Sequence, residues 1–275
     1  MKVKRLVLSG LAACAVGLIS GCETFEGHEG AVIGSAAGAA GGALIGSAAA
    51  GSGNRGTGAV IGLLVAVHLA STLVLNQAGQ LQLVFWFAFQ PLRIIAGLDD
   101  PSLAVPLIWT PFSHALLHAG WEHLLMNAAW FAIFATPVSR RYGAGPMLAI
   151  FFVSAAAGAA LFAATTLYAG AYLIGASGGV AGLTGAAMRF IFQPVIVAQH
   201  PETGERVIVG RRLAGLGELW RDRRASMFIL IWVVLNAAVP LLPLVTGMEM
   251  AVAWRAHLGG FFAGLLLVGL FERRS

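Results

Sequence analysis

Six apolar runs, at residues 59–76, 112–135, 146–168, 177–193, 226–246 and 250–271, each come close to the length needed to cross a bilayer. No other feature constrains the chain so strongly, because a backbone surrounded by hydrocarbon must satisfy its own hydrogen bonds, and separate runs of this length do so as helices. Of the 275 residues, 58% are hydrophobic and 11% are charged, which leaves too little polar surface to cover a water-soluble globule. The expected fold is an all-α, polytopic membrane protein with a six-transmembrane-helix bundle as its body and an additional helical segment before it.

The net charge of +5 might suggest nucleic acid, but the basic residues sit in short segments between the runs, without a basic face or interleaved aromatics. They read better as a topology signal. Arg140 and Arg141, then Arg206, Arg211, Arg212, Arg221, Arg223 and Arg224, then Arg273 and Arg274 fall on one side, while the opposite loops hold Arg93 and Arg255. The rich side is expected to be cytoplasmic. Residues 81–96, with Trp86 and three phenylalanines near Gln90, Pro91 and Arg93, suit the membrane interface better than a span.

Residues 1–22 read as a leader: a basic start, an apolar stretch, then Ser20 and Gly21 ahead of Cys22. That ending resembles a bacterial lipoprotein signal, with Cys22 as the lipidated residue, and an uncleaved anchor helix is the other reading. Residues 23–57 form a second unit in which Gly30, Gly34, Gly38, Gly42 and Gly46 recur every fourth position, followed by a polar linker at 51–57. Such a glycine zipper suits self-association, binding of a partner helix or a further anchor equally well. Residues 58–275 form the third unit. Both cysteines, Cys14 and Cys22, lie in the leader, so the body has no disulfide or cysteine metal pair.

Within the body, Ser177 lies among glycines at the start of the fourth run, His257 lies about two turns into the sixth from its outer side, and His123 and Asn127 share a face of the second. The topology brings all of them to a similar depth. A serine hydroxyl needs a base to take its proton, and imidazole is the usual partner. Histidine and asparagine side chains can donate to a developing oxyanion. Polar groups inside a span are costly and mark function by default.

These residues resemble the rhomboid family of intramembrane serine proteases. The family's motif around the serine is matched by Gly175, Ser177, Gly178, Gly182 and Leu183, its histidine–asparagine pair by His123 and Asn127, and its last-helix motif by Ala256, His257, Gly260 and Gly264. Trp109, His114 and His118 fall where the family has a tryptophan and histidines ahead of its second helix. The resemblance implies a catalytic dyad of Ser177 and His257, an oxyanion site made of the Ser177 N–H, His123 and Asn127, and no cofactor. It further implies single-span membrane proteins as substrates and a site open to the outer face, gated by the fifth helix and a loop around Met248 and Glu249. The expected location is a bacterial inner membrane with the site on the periplasmic side. The chain departs from the family at two positions: Thr110 follows Trp109 where arginine is usual, and Ala181 stands four residues after the serine where relatives often carry an aromatic that supports the histidine.

Other chemistries fit less well. A nucleophile elbow needs a strand before the serine and a mixed α/β chain around it. His114, His118 and His123 do not share one helical face and contain no His-Glu-x-x-His pattern, which argues against a metal site. His114 and His118 read as supports of the first loop, and His68 as a tolerated interior polar residue. Asp99 and Asp100 lie beside Pro101 in a loop, which disfavours an aspartyl protease. Glu218 and Asp222 read with the nearby arginines as a solvated face. The other functional class that stays open is a catalytically weak or inactive binding or chaperone module of the same fold.

Overall fold

The computed structural model describes residues 55–200, 202–241 and 252–272. The leader with Cys22, the glycine zipper, Met248 and Glu249, and Arg273 and Arg274 lie outside the described residues. Among the described residues, six principal helices make up the body. Helix α1 (Arg55–Leu73) is followed by two shorter helices, α2 (Gln77–Phe87) and α3 (Leu92–Asp99), and then by α4 (Trp121–Tyr142), α5 (Ala144–Thr166) and α6 (Ser177–Met188). A β-hairpin, β1 (Val195–Gln199) and β2 (Arg206–Arg211), leads through the short α7 (Leu216–Arg221) to α8 (Arg223–Ala238) and finally α9 (Trp254–Leu267). Four of these, counted with the turns that extend α8 and α9, are long and apolar enough to cross a membrane: Arg55–Leu73, Ala144–Thr166, Arg223–Leu241 and Trp254–Phe271. The chain is an all-α polytopic membrane protein.

Each helix forms for a reason legible in its residues. In α1, Thr57, Val60, Ile61, Leu64 and His68 make one buried stripe that packs on α4. The polar linker read at 51–57 therefore ends earlier than its composition suggests, because Arg55, Gly56 and Thr57 belong to the helix. Gly56 sits so close to α5 that a Cβ there would lie 2.7 Å from Ala144 Cβ. Helix α4 starts at Trp121, well after the apolar run opens, because 101–116 is taken up by 3-10 and single-turn pieces and Gly120 is extended at the N-cap. Its buried Leu124, Asn127, Ala128, Phe131, Phe134 and Ala135 follow helical spacing.

The centre of the bundle is α6, a helix of poor intrinsic propensity with glycines at 178, 179, 182 and 185. Tertiary packing holds it, since every residue of Gly178–Met188 is buried. The small residues allow backbone to meet backbone: a Cβ on Gly260 would lie 2.0 Å from Gly178 O, and one on Gly264 would lie 1.9 Å from Gly182 O. Gly158 of α5 meets Ala256 O in the same way, at 2.5 Å. Helices α5, α6 and α9 thus share a bare seam, the close-approach mode expected where lipid offers no hydrophobic drive.

The segment between α1 and α4 is pinned by Arg93 rather than by a cation at position 110. Arg93 is buried, donates from Nη2 to Phe85 O (2.6 Å) and from Nη1 to Leu103 O (3.4 Å), and lies 4.4 Å over the Phe85 ring. Trp109 Nε1 donates to Trp86 O (2.8 Å) and Ser113 Oγ to Phe87 O (2.8 Å). Arg93→Ala leaves two carbonyls without their charged donor and is expected to cost about 1–3 kcal/mol. Hydrogen exchange of the 77–116 amides should accelerate in that variant while α5 and α9 stay protected.

The hairpin is a feature that periodicity did not reveal. Its strands pair antiparallel, with a register irregularity between Ile196 and Val197 and Gly204 in a left-handed turn conformation (φ +72°). All five β1 residues are exposed, so no inside-outside alternation marks the sequence. Below it, Arg141 bridges to Glu272 (2.6 Å), Arg189 donates to Ala214 O, and Asp222 caps α8 by accepting from Arg224 N (2.9 Å). The Gly215 N–H and the Arg212 guanidinium hold the Glu218 carboxyl below its ordinary range.

Candidate active site

Ser177 is the first residue of α6, half-buried, with the orphan N–H groups of a helix start at its own backbone. The chain reaches it through a held approach. Leu173 and Phe89 exchange two backbone hydrogen bonds (2.8 and 3.1 Å), the Gly175 N–H donates to His114 O (2.9 Å), and the Ala176 N–H donates to His118 Nε2 (3.5 Å). Gly175 has a φ of +114°, where a side chain would be strained. His114 in turn is tied through Nδ1 to Thr110 O (2.9 Å). Both loop histidines therefore brace the residues just ahead of the serine.

His257 stands in the first turn of α9, nearer the helix start than its run suggested, because α9 begins at Trp254. Its ring is buried, and Nδ1 lies 2.9 Å from Asn236 Oδ1. Asn127, on α4, donates from Nδ2 to His123 O (2.9 Å), which anchors one of its two amide hydrogens and leaves the other for a second acceptor. His123 Nδ1 accepts the Ala119 N–H (3.4 Å), so its proton is on Nε2. The His123 ring sits edge-on to His118 with centroids 5.0 Å apart. His68 packs edge-on against Trp121, centroids 4.6 Å apart.

A small cavity of about 40 Å³ collects Ser177, His257 and Asn127 in one lining, together with Ala181, Asn236 and Trp232. It has room for a few water molecules. His123 is not in that lining; it is buried one turn from Asn127 on the same helix. A larger hollow of about 400 Å³, between the first loop and α5, has an entirely apolar lining with no group for chemistry.

Asn236 is the residue that motif reading passed over. One signal could have found it: it is the lone side-chain amide in an otherwise apolar stretch of α8, and a polar side chain inside a span is costly unless it has a partner. Among the described residues no group of three or more histidines, cysteines or carboxylates is placed to hold a metal ion.

The chain is similar to known proteins over part of its length. A Rhomboid protease GlpG of Pectobacterium atrosepticum is 28% identical over 205 residues, covering 74% of this chain and 59% of that protein. A Rhomboid protease GlpG of Klebsiella pneumoniae is 29% identical over 99 residues, covering 36% of this chain and 31% of that protein. The chain thus spans less than two thirds of the length of these relatives. The family model described as Rhomboid domain matches residues 106–274, a stretch that takes in the seam of α5, α6 and α9 and every residue of the cavity lining. With that match over more than half its length, the chain belongs to the rhomboid family, a family of intramembrane proteases.

Proposed function

We propose that this protein is a serine endopeptidase that cleaves the transmembrane helices of membrane-protein substrates, with Ser177 as nucleophile and His257 as base. The observation that carries the reading is the shared cavity of Ser177, His257 and Asn127 in the middle of an apolar bundle. Ser177 Oγ attacks the scissile carbonyl carbon and passes its proton to His257 Nε2. The tetrahedral oxyanion is held by the Ser177 N–H and the second amide hydrogen of Asn127, while His123, outside the cavity lining, backs Asn127 from one turn away on the same helix. Collapse returns the proton from His257 to the leaving amine, and water then attacks the acyl-enzyme by the same route in reverse. No cofactor takes part.

The distribution of arginines supports a bacterial inner membrane location with the site opening to the periplasmic side, where a substrate helix would unwind. Asn127→Ala should lower kcat for a single-span substrate by about a hundredfold, with a smaller change in KM, because the donor acts on charge that exists only in the transition state. The reading is tested by labelling detergent-purified protein with a fluorophosphonate. Wild type should take the probe and Ser177→Ala should not. A folded, monodisperse wild type that takes none would sink the proposal.

A further inference from the structure

We infer that Asn236 holds the His257 imidazole in the one tautomer that can accept a serine proton, and so ties the readiness of the base to the position of α8. The inference rests on the reading of Ser177 and His257 as the reacting pair. It begins with the amide of Asn236, whose two ends have different partners. Nδ2 donates to Trp232 O one turn back in the same helix (2.9 Å), and Oδ1 lies 2.9 Å from His257 Nδ1. Turning the amide over would set its oxygen against the Trp232 carbonyl, two acceptors face to face. One orientation satisfies both contacts.

An amide oxygen only accepts, so the hydrogen between it and the ring is carried by Nδ1. The lone pair of the neutral imidazole is then on Nε2. The opposite tautomer would offer the serine an N–H, and in soluble serine proteases that mistake costs about ten-thousandfold in kcat. When Nε2 takes the serine proton, Nδ1–H continues to donate to Asn236 Oδ1, and the Nε2 proton leaves with the amine. The ring thus keeps its orientation through both transfers. A neutral amide does this without burying a second charge in the bundle, which a carboxylate would require. Papain-like proteases use an asparagine behind their histidine in the same position of the relay.

The surroundings explain why the task falls to α8. Ala181 is buried in the cavity lining and too small to support the ring from α6. One turn from Asn236, Trp232 stacks on Phe261 of α9, with centroids 4.3 Å apart and planes 20° from parallel. Side chains therefore make these contacts between α8 and α9, whereas α6 and α9 meet through glycine backbone. Moving α8 outward would break no bare seam, yet it would take Oδ1 off Nδ1 and release the ring. Opening the bundle along α8 and disarming the base are one event.

Nitrogen-15 NMR of the full chain in detergent micelles, labelled at histidine and assigned with His257→Ala, reads the tautomer directly. Wild type is expected to carry the proton on Nδ1. Asn236→Leu should shift the ring towards the Nε2–H form and slow fluorophosphonate labelling by about 10- to 100-fold, the scale of a misoriented catalytic group. Asn236→Asp, which keeps an acceptor at the same place, should retain the Nδ1 proton and serves as the deciding variant should the leucine protein not fold. A wild-type proton on Nε2, or an Nδ1–H resonance untouched by Asn236→Leu, overturns the inference. The tautomer is read whether or not the protein hydrolyses anything. An Nδ1–H imidazole in a wild type that takes no probe would uphold the role of Asn236 and defeat the protease reading.

Discussion

Adding a single methyl group at Gly264 is expected to disrupt the bundle. The new Cβ of Gly264→Ala would lie 1.9 Å from Gly182 O, and the obstacle is backbone, which cannot swing away as a side-chain end could. Helices α6 and α9 would have to separate by an ångström or more. Overpacking of this kind costs about 1–3 kcal/mol where a core can adjust, and a backbone contact belongs at or beyond the top of that range. The control is Gly62→Ala in α1, where nothing among the described residues lies within 4 Å of the added carbon and helix propensity favours alanine by about 1 kcal/mol. Thermal unfolding in a single detergent should show Gly264→Ala lower by on the order of 10 °C and Gly62→Ala unchanged or slightly higher. Equal melting of the two variants would mean that the seam is looser than described.

The second large effect concerns how the loss of activity combines. His257→Ala should lower cleavage of a single-span substrate in proteoliposomes by at least about ten-thousandfold, and the Ser177→Ala/His257→Ala double variant should be no slower than either single variant. Groups that act on one proton fail as a unit, so the second removal takes away nothing that still works. Multiplying losses would show that the two residues contribute independently and would sink the dyad. A His257→Ala protein within tenfold of wild type would remove His257 as the base.

Much of the architecture was legible in the chain because its signals are local. Length and apolarity announced four of the six expected spans, the runs at 112–135 and 177–193 giving helices that do not meet both measures, and a serine among glycines announced a helix start, with Ser177 as the first residue of α6. The histidine–asparagine spacing placed His123 and Asn127 on one helix, and the structure adds that Asn127 reaches the cavity lining while His123 lies buried behind it. Other features depend on tertiary contacts that spacing does not encode. The role of Asn236 depends on how α8 faces α9, and the anchoring of the first loop by Arg93 depends on a fold-back onto carbonyls eight and ten residues away. The hairpin escaped because a fully exposed strand carries no alternating pattern.

The shortness of α6 has a consequence for the membrane around it. Twelve residues rise only about 18 Å, well short of a hydrocarbon core of about 30 Å. On the lipid-facing perimeter such a helix would suffer hydrophobic mismatch, and acyl chains would thin or tilt to meet it. Here α6 is sheathed by its neighbours, so lipid never measures its length. Thicker or thinner bilayers press on the perimeter helices, while the depth of the serine is set by glycine contacts inside the protein. On the proposed protease reading, the protein would carry its own ruler for where along a substrate helix the hydroxyl sits, independent of the acyl-chain length of its host membrane.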